Sequence, residues 1–181
     1  WELFSQPDAG HGGFPGYHFV VLLLGCFPAS IFAIQGMTGS GMNNQVQKDF
    51  KRWMSILFWV ILILFTIVKT KIVHYSSLAY YPLTFMAALS LYNIVEGKWK
   101  FKGWMRFSLI VIGLIISAVT IVLPFLGMKI DRLKPLFEKD RFALENLNAV
   151  ADWTGVEALA GVIMFFIVFV AVIGFNSKRK V

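Results

Sequence analysis

Five long apolar stretches constrain the fold of this 181-residue chain more than any other feature. They cover residues 17–35, 53–68, 76–95, 107–127 and 156–175. Each is long enough, or nearly so, for an α-helix to cross about 30 Å of hydrocarbon. Charged residues make up 15% of the chain, whereas soluble domains contain roughly 25%. The sequence therefore predicts an all-α integral membrane protein with about five transmembrane helices, four of them within residues 17–127.

The charges between these stretches are divided unequally between two sets of alternating segments and predict an orientation. One set of segments carries ten Lys and Arg against two acidic residues: 36–52, 96–106 and 176–181. The other set carries seven against eight: 1–16, 69–75 and 128–157. Positively charged loops tend to stay in the cytoplasm. We therefore expect a multi-pass protein of the plasma (inner) membrane, with its N-terminus outside and its C-terminal tail in the cytoplasm.

The connections between the stretches carry weaker local signals. Pro28 and Pro82 lie within apolar stretches and predict kinks. Residues 36–47 are rich in Gly, Ser and Asn and predict a flexible connection. Leucines recur near helical spacing in the outer loop 128–155, which predicts a short amphipathic helix on the outer membrane face. An alternative is that this loop only covers the ends of the transmembrane helices.

The polar residues of the chain exclude several classes of function. The apolar stretches hold almost no ionisable side chain in their interiors, which argues against a proton pump or an ion channel. The net charge of +7 is divided among the loops, so it does not indicate nucleic-acid binding. The single cysteine, Cys26, lies in an apolar run and is typical of a small buried hydrophobic residue. Chemistry is therefore expected in the outer segments, with membrane lipids as neighbours.

Two clusters of reactive side chains lie in the outer segments. They comprise Asp8, His11, Tyr17 and His18 in the first, and Lys69, Lys71, His74 and Tyr75 in the second. Lysine ammonium groups and a tyrosine hydroxyl together suit a phosphate group at membrane depth. The lysines could equally be interfacial residues whose charges reach the headgroups. His11 is a metal ligand, a general acid or base, or a solvated loop residue; zinc would require at least two further ligands.

Two segments resemble motifs of a known enzyme family. HGGFPGYHFVVLLLGCFPAS resembles the HxxPFWYYLPxLLxGxxPW segment of membrane glycosyltransferases, and KTKIVHYSSLAYYPLTFMAAL resembles their K-L-P-x-Y segment. The family is the dolichyl-phosphate-mannose–protein mannosyltransferase type, whose bacterial members include the aminoarabinose transferases that modify lipid A. The resemblance covers about residues 8–95.

The resemblance implies a GT-C-fold enzyme acting on the outer side of the membrane. Such an enzyme transfers a sugar from a polyprenyl-phosphate carrier to a lipid or protein acceptor. The motif match places Lys71 and Tyr75 at the carrier phosphate, and Lys69 is a further candidate there. It also matches His11 to a histidine that helps to bind a metal ion, which would be zinc.

The sequence departs from the family pattern at several points. Val73 stands where the family has proline, and the aromatic P-F-W-Y-Y run is reduced to F-P-G-Y-H, which leaves Tyr17 as the main matching aromatic. The acidic catalytic residues of the family have no counterpart. We therefore expect the middle-to-C-terminal part of a longer enzyme, without a catalytic residue and inactive alone. The alternatives are a non-catalytic multi-span subunit or lipid-binding scaffold, and a transporter fragment.

Overall fold

The regular elements of the chain are helical throughout the residues that the structure, a computed structural model, describes. These residues are 14, 16–39, 44–68, 73–132, 134–137, 141–148 and 151–177. The α-helices are α1 (Tyr17–Gly25), α2 (Ala29–Thr38), α3 (Gln45–Ile67), α4 (Tyr80–Val95), α5 (Gly103–Gly127), α6 (Arg141–Leu147) and α7 (Ala158–Ser177). Short 3-10 helices cover Val73–Ala79, Ile130–Arg132 and Lys134–Phe137. The expected all-helical architecture is confirmed.

The chain forms two compact units, and their boundary falls within α5. The N-terminal unit is Trp1–Arg106 and the C-terminal unit is Phe107–Val181. Four described helices are long and apolar enough to cross a membrane: Gln45–Ile67, His74–Val95, Gly103–Gly127 and Ala158–Phe175. Helices α1 and α2 pass the same test only as a pair, so the number of possible spans is four or five.

The break between α1 and α2 is sharper than the expected proline kink, because the two helices are bent by 111°. Pro28 lies at the N-cap of α2, where its missing N–H removes no hydrogen bond from the helix. The hydroxyl of Ser30 donates to the carbonyl oxygen of Leu23 across the break, at 2.7 Å. This bond ties the first turn of α2 to the last turns of α1 and holds the bend.

Pro82 begins a helix rather than kinking one. It is the third residue of α4, which runs without interruption to Val95. In this first turn the backbone N–H groups have no partner within the helix, so proline is tolerated. The ring of Pro82 is buried, so it contributes packing at the start of α4.

Helix α3 begins well before its apolar stretch. The side chain of Asn44 accepts a hydrogen bond from Val46 N at 2.9 Å, which caps the helix. One turn later, the Gln45 amide donates to the carboxylate of Asp49 at 2.9 Å. Residues 45–52 are therefore helical, and the basic residues among them lie on α3 rather than in the inner loop where the sequence had placed them.

Helices α2 and α4 form the core of the N-terminal unit. A methyl group added at Gly36 would collide with the carbonyl oxygen of Met86, so glycine allows the two backbones to approach. Beside this contact, the buried Gln35 accepts a hydrogen bond from Ser90 Oγ at 3.4 Å and donates to Lys100 O at 3.1 Å. Because a buried amide is costly without partners, these bonds favour one register between the helices.

In the C-terminal unit, α5 and α7 pack closely at a small residue. A Cβ at Gly161 would lie 2.8 Å from the carbonyl oxygen of Ser117 and 2.7 Å from the Ile121 side chain. The connection between the helices contains two 3-10 turns and the short helix α6, and Lys134 pairs with Asp131 at 2.7 Å. Among the described residues of this loop, the longest helix is α6, with seven residues.

A capping box fixes the start of α7. Glu157 accepts hydrogen bonds from Thr154 N at 3.2 Å and from Thr154 Oγ1 at 3.0 Å, while Val156 N donates to that hydroxyl at 3.3 Å. A third donor is Gly155 N, at 2.8 Å. Backbone N–H donors, first its own and then that of Thr154, hold the pKa of Glu157 below its usual value of 4.5.

Candidate functional site

Two parts of the predicted outer clusters meet at the C-terminal end of α3. Tyr17 and His18 begin α1, and His74 and Tyr75 lie in the 3-10 helix that precedes α4. Phe65 of α3 lies between them: its ring centroid is 6.0 Å from that of His18 and 5.2 Å from that of Tyr75. These five residues are called the aromatic end of the N-terminal unit.

The rings at the aromatic end form a continuous series of contacts. Tyr17 meets His18 edge to face at 5.2 Å, and His74 meets Tyr75 edge to face at 5.0 Å. Phe65 and Tyr75 are stacked, with planes 24° apart. Edge-to-face and offset stacked arrangements are the favourable geometries of aromatic pairs. The fold therefore brings segments that are distant in sequence into one ring cluster.

The members of the aromatic end differ in their exposure. His18 is fully buried, Tyr75 is partly buried and His74 is exposed. The buried imidazole and Phe65 form the inner part of the cluster, whereas the Tyr75 and His74 side chains are accessible. A tyrosine hydroxyl both donates and accepts hydrogen bonds, and an imidazole does so through its two nitrogens. The accessible side of the cluster can thus bind a polar ligand.

Four of the sequence candidates lie outside the described residues: Asp8, His11, Lys69 and Lys71. Their predicted roles at a phosphate and at a metal ion stay predictions. Along the chain, the two lysines fall between Val68, which follows α3, and Val73, which begins the 3-10 helix of the aromatic end. Within the described residues, no group of three His, Cys, Asp or Glu side chains could hold a metal ion.

The opposite end of α3 gathers positive charge. Lys51 donates a hydrogen bond to the carbonyl oxygen of Gly39, and its amine lies 6.0 Å from the centre of the Trp99 ring. The loop after α4 joins this end, because Gln35 binds Lys100 O. We call the basic residues of this region the basic end: Lys48, Lys51, Arg52, Lys98, Lys100 and Lys102.

The bent pair of helices connects the two ends of the N-terminal unit. His18 at the start of α1 contacts Phe65, and Gly39 after α2 binds Lys51. Phe65 and Lys51 are about 21 Å apart along α3, at 1.5 Å per residue. The pair thus contacts α3 near both of its ends, and a pair bent by 111° is either a broken span or a re-entrant loop.

Sequence reasoning missed Phe65, which joins the two clusters. It lies in a continuous apolar run, and nothing in its neighbours distinguishes it from lipid-facing residues. The only signal was its position near the predicted outer end of the second stretch. Sequence reasoning also missed Gln35, whose hydrogen bonds to Ser90 and Lys100 connect α2 to α4 and to the basic end.

No protein family, curated protein or solved structure matches the chain. The class of protein therefore follows from the fold. It is an all-helical chain with four helices, or five with the bent pair, that are long and apolar enough to cross a membrane. These are the features of a multi-pass membrane protein.

Proposed function

We propose that the chain is part of a membrane glycosyltransferase that transfers a sugar from a polyprenyl-phosphate carrier to a lipid or protein acceptor. The observation that supports this proposal most is the contact of His18 and Tyr75 with Phe65. It unites the two segments that resemble the motifs of this family. Alternation of the spans places both segments at the same end of the helices, and Phe65 brings their rings into contact there.

The proposed site binds the carrier through its phosphate. Lys71, with Lys69, supplies positive charge, and the Tyr75 hydroxyl supplies a directed hydrogen bond. As the acceptor hydroxyl attacks the anomeric carbon, the bond from that carbon to the phosphate oxygen breaks. The lysine and tyrosine stabilise the negative charge that develops on the departing lipid phosphate.

Removing the proton of the acceptor hydroxyl requires a base. No acidic residue of this chain matches the catalytic motif of the family. In the proposed enzyme a carboxylate from another part of a longer protein takes this proton. The aromatic end then belongs to the carrier half of the active site. The charge distribution of the loops favours an outer location for this end, with the basic end in the cytoplasm.

The proposal is tested by substitutions in the longer protein that contains this chain. We expect Lys71→Ala to lower transfer from a polyprenyl-phosphate sugar by about 10- to 150-fold, because a charge-assisted hydrogen bond is worth about 1.5–3 kcal/mol. Tyr75→Phe removes only the hydroxyl and should have a smaller effect in the same direction. Initial rates of sugar transfer at several carrier concentrations measure both.

Two controls match these changes in type. Tyr81→Phe alters an exposed tyrosine of α4 outside the ring cluster, and Lys129→Ala alters an exposed lysine of the C-terminal unit. Both should leave transfer unchanged. If Lys71→Ala and Tyr75→Phe behave like these controls, the lysine is an interfacial residue and the proposed phosphate site is wrong.

A further inference from the structure

A cavity of about 550 Å³ lies within the N-terminal unit, between α1, α2, α3 and the start of α4. This volume falls in the range of about 300–1,000 Å³ that is common for ligand-binding sites. Its walls are mainly aliphatic and aromatic, with Phe19 and Leu22 from α1, Ala33 from α2, Phe58 and Trp59 from α3 and Leu83 from α4.

The few polar side chains that line the cavity have their hydroxyl protons in use. Ser30 donates to Leu23 O at 2.7 Å, Thr38 to Ile34 O at 3.0 Å and Ser55 to Lys51 O at 3.0 Å. A polar ligand could accept one of these hydroxyl protons only if the hydrogen bond to the backbone carbonyl were broken. The cavity therefore suits a hydrocarbon chain and disfavours a sugar or a headgroup.

One face of α3 joins the cavity to the basic end. The lining residues Ser55, Phe58, Trp59 and Leu62 recur at intervals of three and four residues, so they share one side of the helix. The same side, continued toward the start of α3, carries Lys48, Lys51 and Arg52. Ser55 lies about one helical turn, or 5.4 Å, from Lys51. An apolar chain in the cavity can thus end beside these cations.

The cations on this face are available to an anion. Lys48 and Arg52 are exposed, and in the described part of the chain no carboxylate forms an ion pair with either. The nearest acid in sequence, Asp49, accepts a hydrogen bond from Gln45, and it forms no ion pair with Arg52, which lies three residues further along α3. Lys51 is already bound to Gly39 O.

We propose that this face of the N-terminal unit is a binding site for an anionic phospholipid. One acyl chain occupies the cavity, and the phosphate-bearing headgroup lies against Lys48 and Arg52. The site goes beyond the proposed function, because it lies at the end of α3 opposite to the carrier phosphate. The net negative headgroup favours this lipid over a zwitterionic one, since each nearby cation attracts it.

The test uses the purified chain in nanodiscs that contain phosphatidylglycerol and phosphatidylcholine in equal amounts. After partial delipidation, native mass spectrometry counts the retained lipids of each type. We expect the wild-type chain to retain phosphatidylglycerol preferentially. Lys48→Gln combined with Arg52→Gln should reduce this preference by about 25-fold, at about fivefold for each cation removed near the membrane surface.

A second variant tests the cavity itself. Ala33→Phe fills the cavity and should abolish retention of phosphatidylglycerol, because Ala33 is buried in its wall. The matched controls are Ala88→Phe on the exposed side of α4, and Lys129→Gln in the C-terminal unit. Both controls should behave like the wild type. The exposed Lys48 and Arg52 can be replaced without altering the core, so the charge test holds even if Ala33→Phe fails to fold.

Three outcomes would overturn the proposal. The first is equal retention of the two phospholipids by the wild type. The second is a loss of preference in Lys129→Gln as large as in the double variant. The third is displacement of phosphatidylglycerol by a polyprenyl phosphate, which would assign the cavity to the carrier and also leave the proposed function standing. Failure of the phospholipid site therefore does not depend on the glycosyltransferase proposal.

Discussion

The two ends of α3 are built by different interactions. At the aromatic end, ring contacts hold the start of α1 against the residues that precede α4, through Phe65. At the basic end, cations bind backbone oxygens and lie over rings, as Lys51 does with Gly39 and Trp99. A phenyl ring such as that of Phe65 can be buried without a polar partner, whereas a charge cannot, so the basic residues other than Lys51 stay exposed.

This difference indicates how each end can bind a ligand. The aromatic end has a rigid apolar framework with a few accessible polar groups, Tyr75 and His74. The basic end keeps exposed charges around a partly buried Lys51, and exposed charges attract any anionic surface with little geometric selection. Geometric selection of a ligand is therefore expected at the aromatic end rather than at the basic end.

The largest effect is expected from a test of which end faces outward. In a Cys26→Ser background, Ser77→Cys should react with a membrane-impermeant maleimide in intact cells, and Lys100→Cys should not. Both side chains are exposed; Ser77 lies in the first turn of the candidate span His74–Val95 and Lys100 in the loop beyond its other end, so the span separates them. The loop that carries Lys100 is short and strongly positive, which favours the cytoplasm.

Permeabilised cells provide the control, because both cysteines should then react. Labelling of Lys100→Cys in intact cells would reverse the predicted orientation of both ends. It would also separate the aromatic end from any carrier on the outer side of the membrane.

An intermediate effect is expected from removing the ring of Phe65, which contacts both His18 and Tyr75 at the aromatic end. Phe65→Ala should lower the free energy of unfolding by about 2 kcal/mol, because Phe65 is partly buried and a fully buried phenylalanine costs about 3–5 kcal/mol. Unfolding in sodium dodecyl sulfate measures this change. Leu64→Ala removes an exposed neighbour on the same helix and should cost much less. Equal losses in the two variants would show that Phe65 does not link the clusters.

The smallest effect is expected at the start of α7, where hydrogen bonds to the carboxylate of Glu157 cap the helix. Glu157 has a lowered pKa in the folded chain, so its ionised form stabilises the fold at pH values above 4.5, and this contribution is lost as the pH falls below that value. Thermal unfolding across this range should therefore show a pH-dependent loss that Glu157→Gln removes; an unchanged profile in the variant would contradict the capping box.

The membrane character of the chain could be predicted from its sequence, because hydrophobic length is a local property. The start of α3 could not be predicted in this way. The helix includes the polar residues Lys48, Lys51 and Arg52, and its first residue is set by the Asn44 cap rather than by hydrophobicity. A hydropathy argument detects the part of a helix that favours lipid and not the turns that extend beyond it.

The candidate site was predictable in its polar members and not in its framework. Tyr17, His18, His74 and Tyr75 stood out because they lie beside apolar stretches whose interiors hold almost no ionisable side chain. Phe65 and the cavity walls consist of residue types that fill the whole chain. Their importance arises from three-dimensional contacts, which a composition of 57% hydrophobic residues does not distinguish.

The bend between α1 and α2 has a consequence for the lipid around it. Helix α2 has ten residues and is about 15 Å long, half of the roughly 30 Å thickness of the hydrocarbon layer. With α1 bent away by 111°, the contacts at the two ends of the pair, His18 with Phe65 and Gly39 with Lys51, lie only about 21 Å apart along α3. A bilayer that meets this pair must thin locally and draw its headgroups inward, at a fraction of a kcal/mol per Å of mismatch. Such a depression would bring lipid headgroups closer to the accessible side chains of Tyr75 and His74 at the aromatic end.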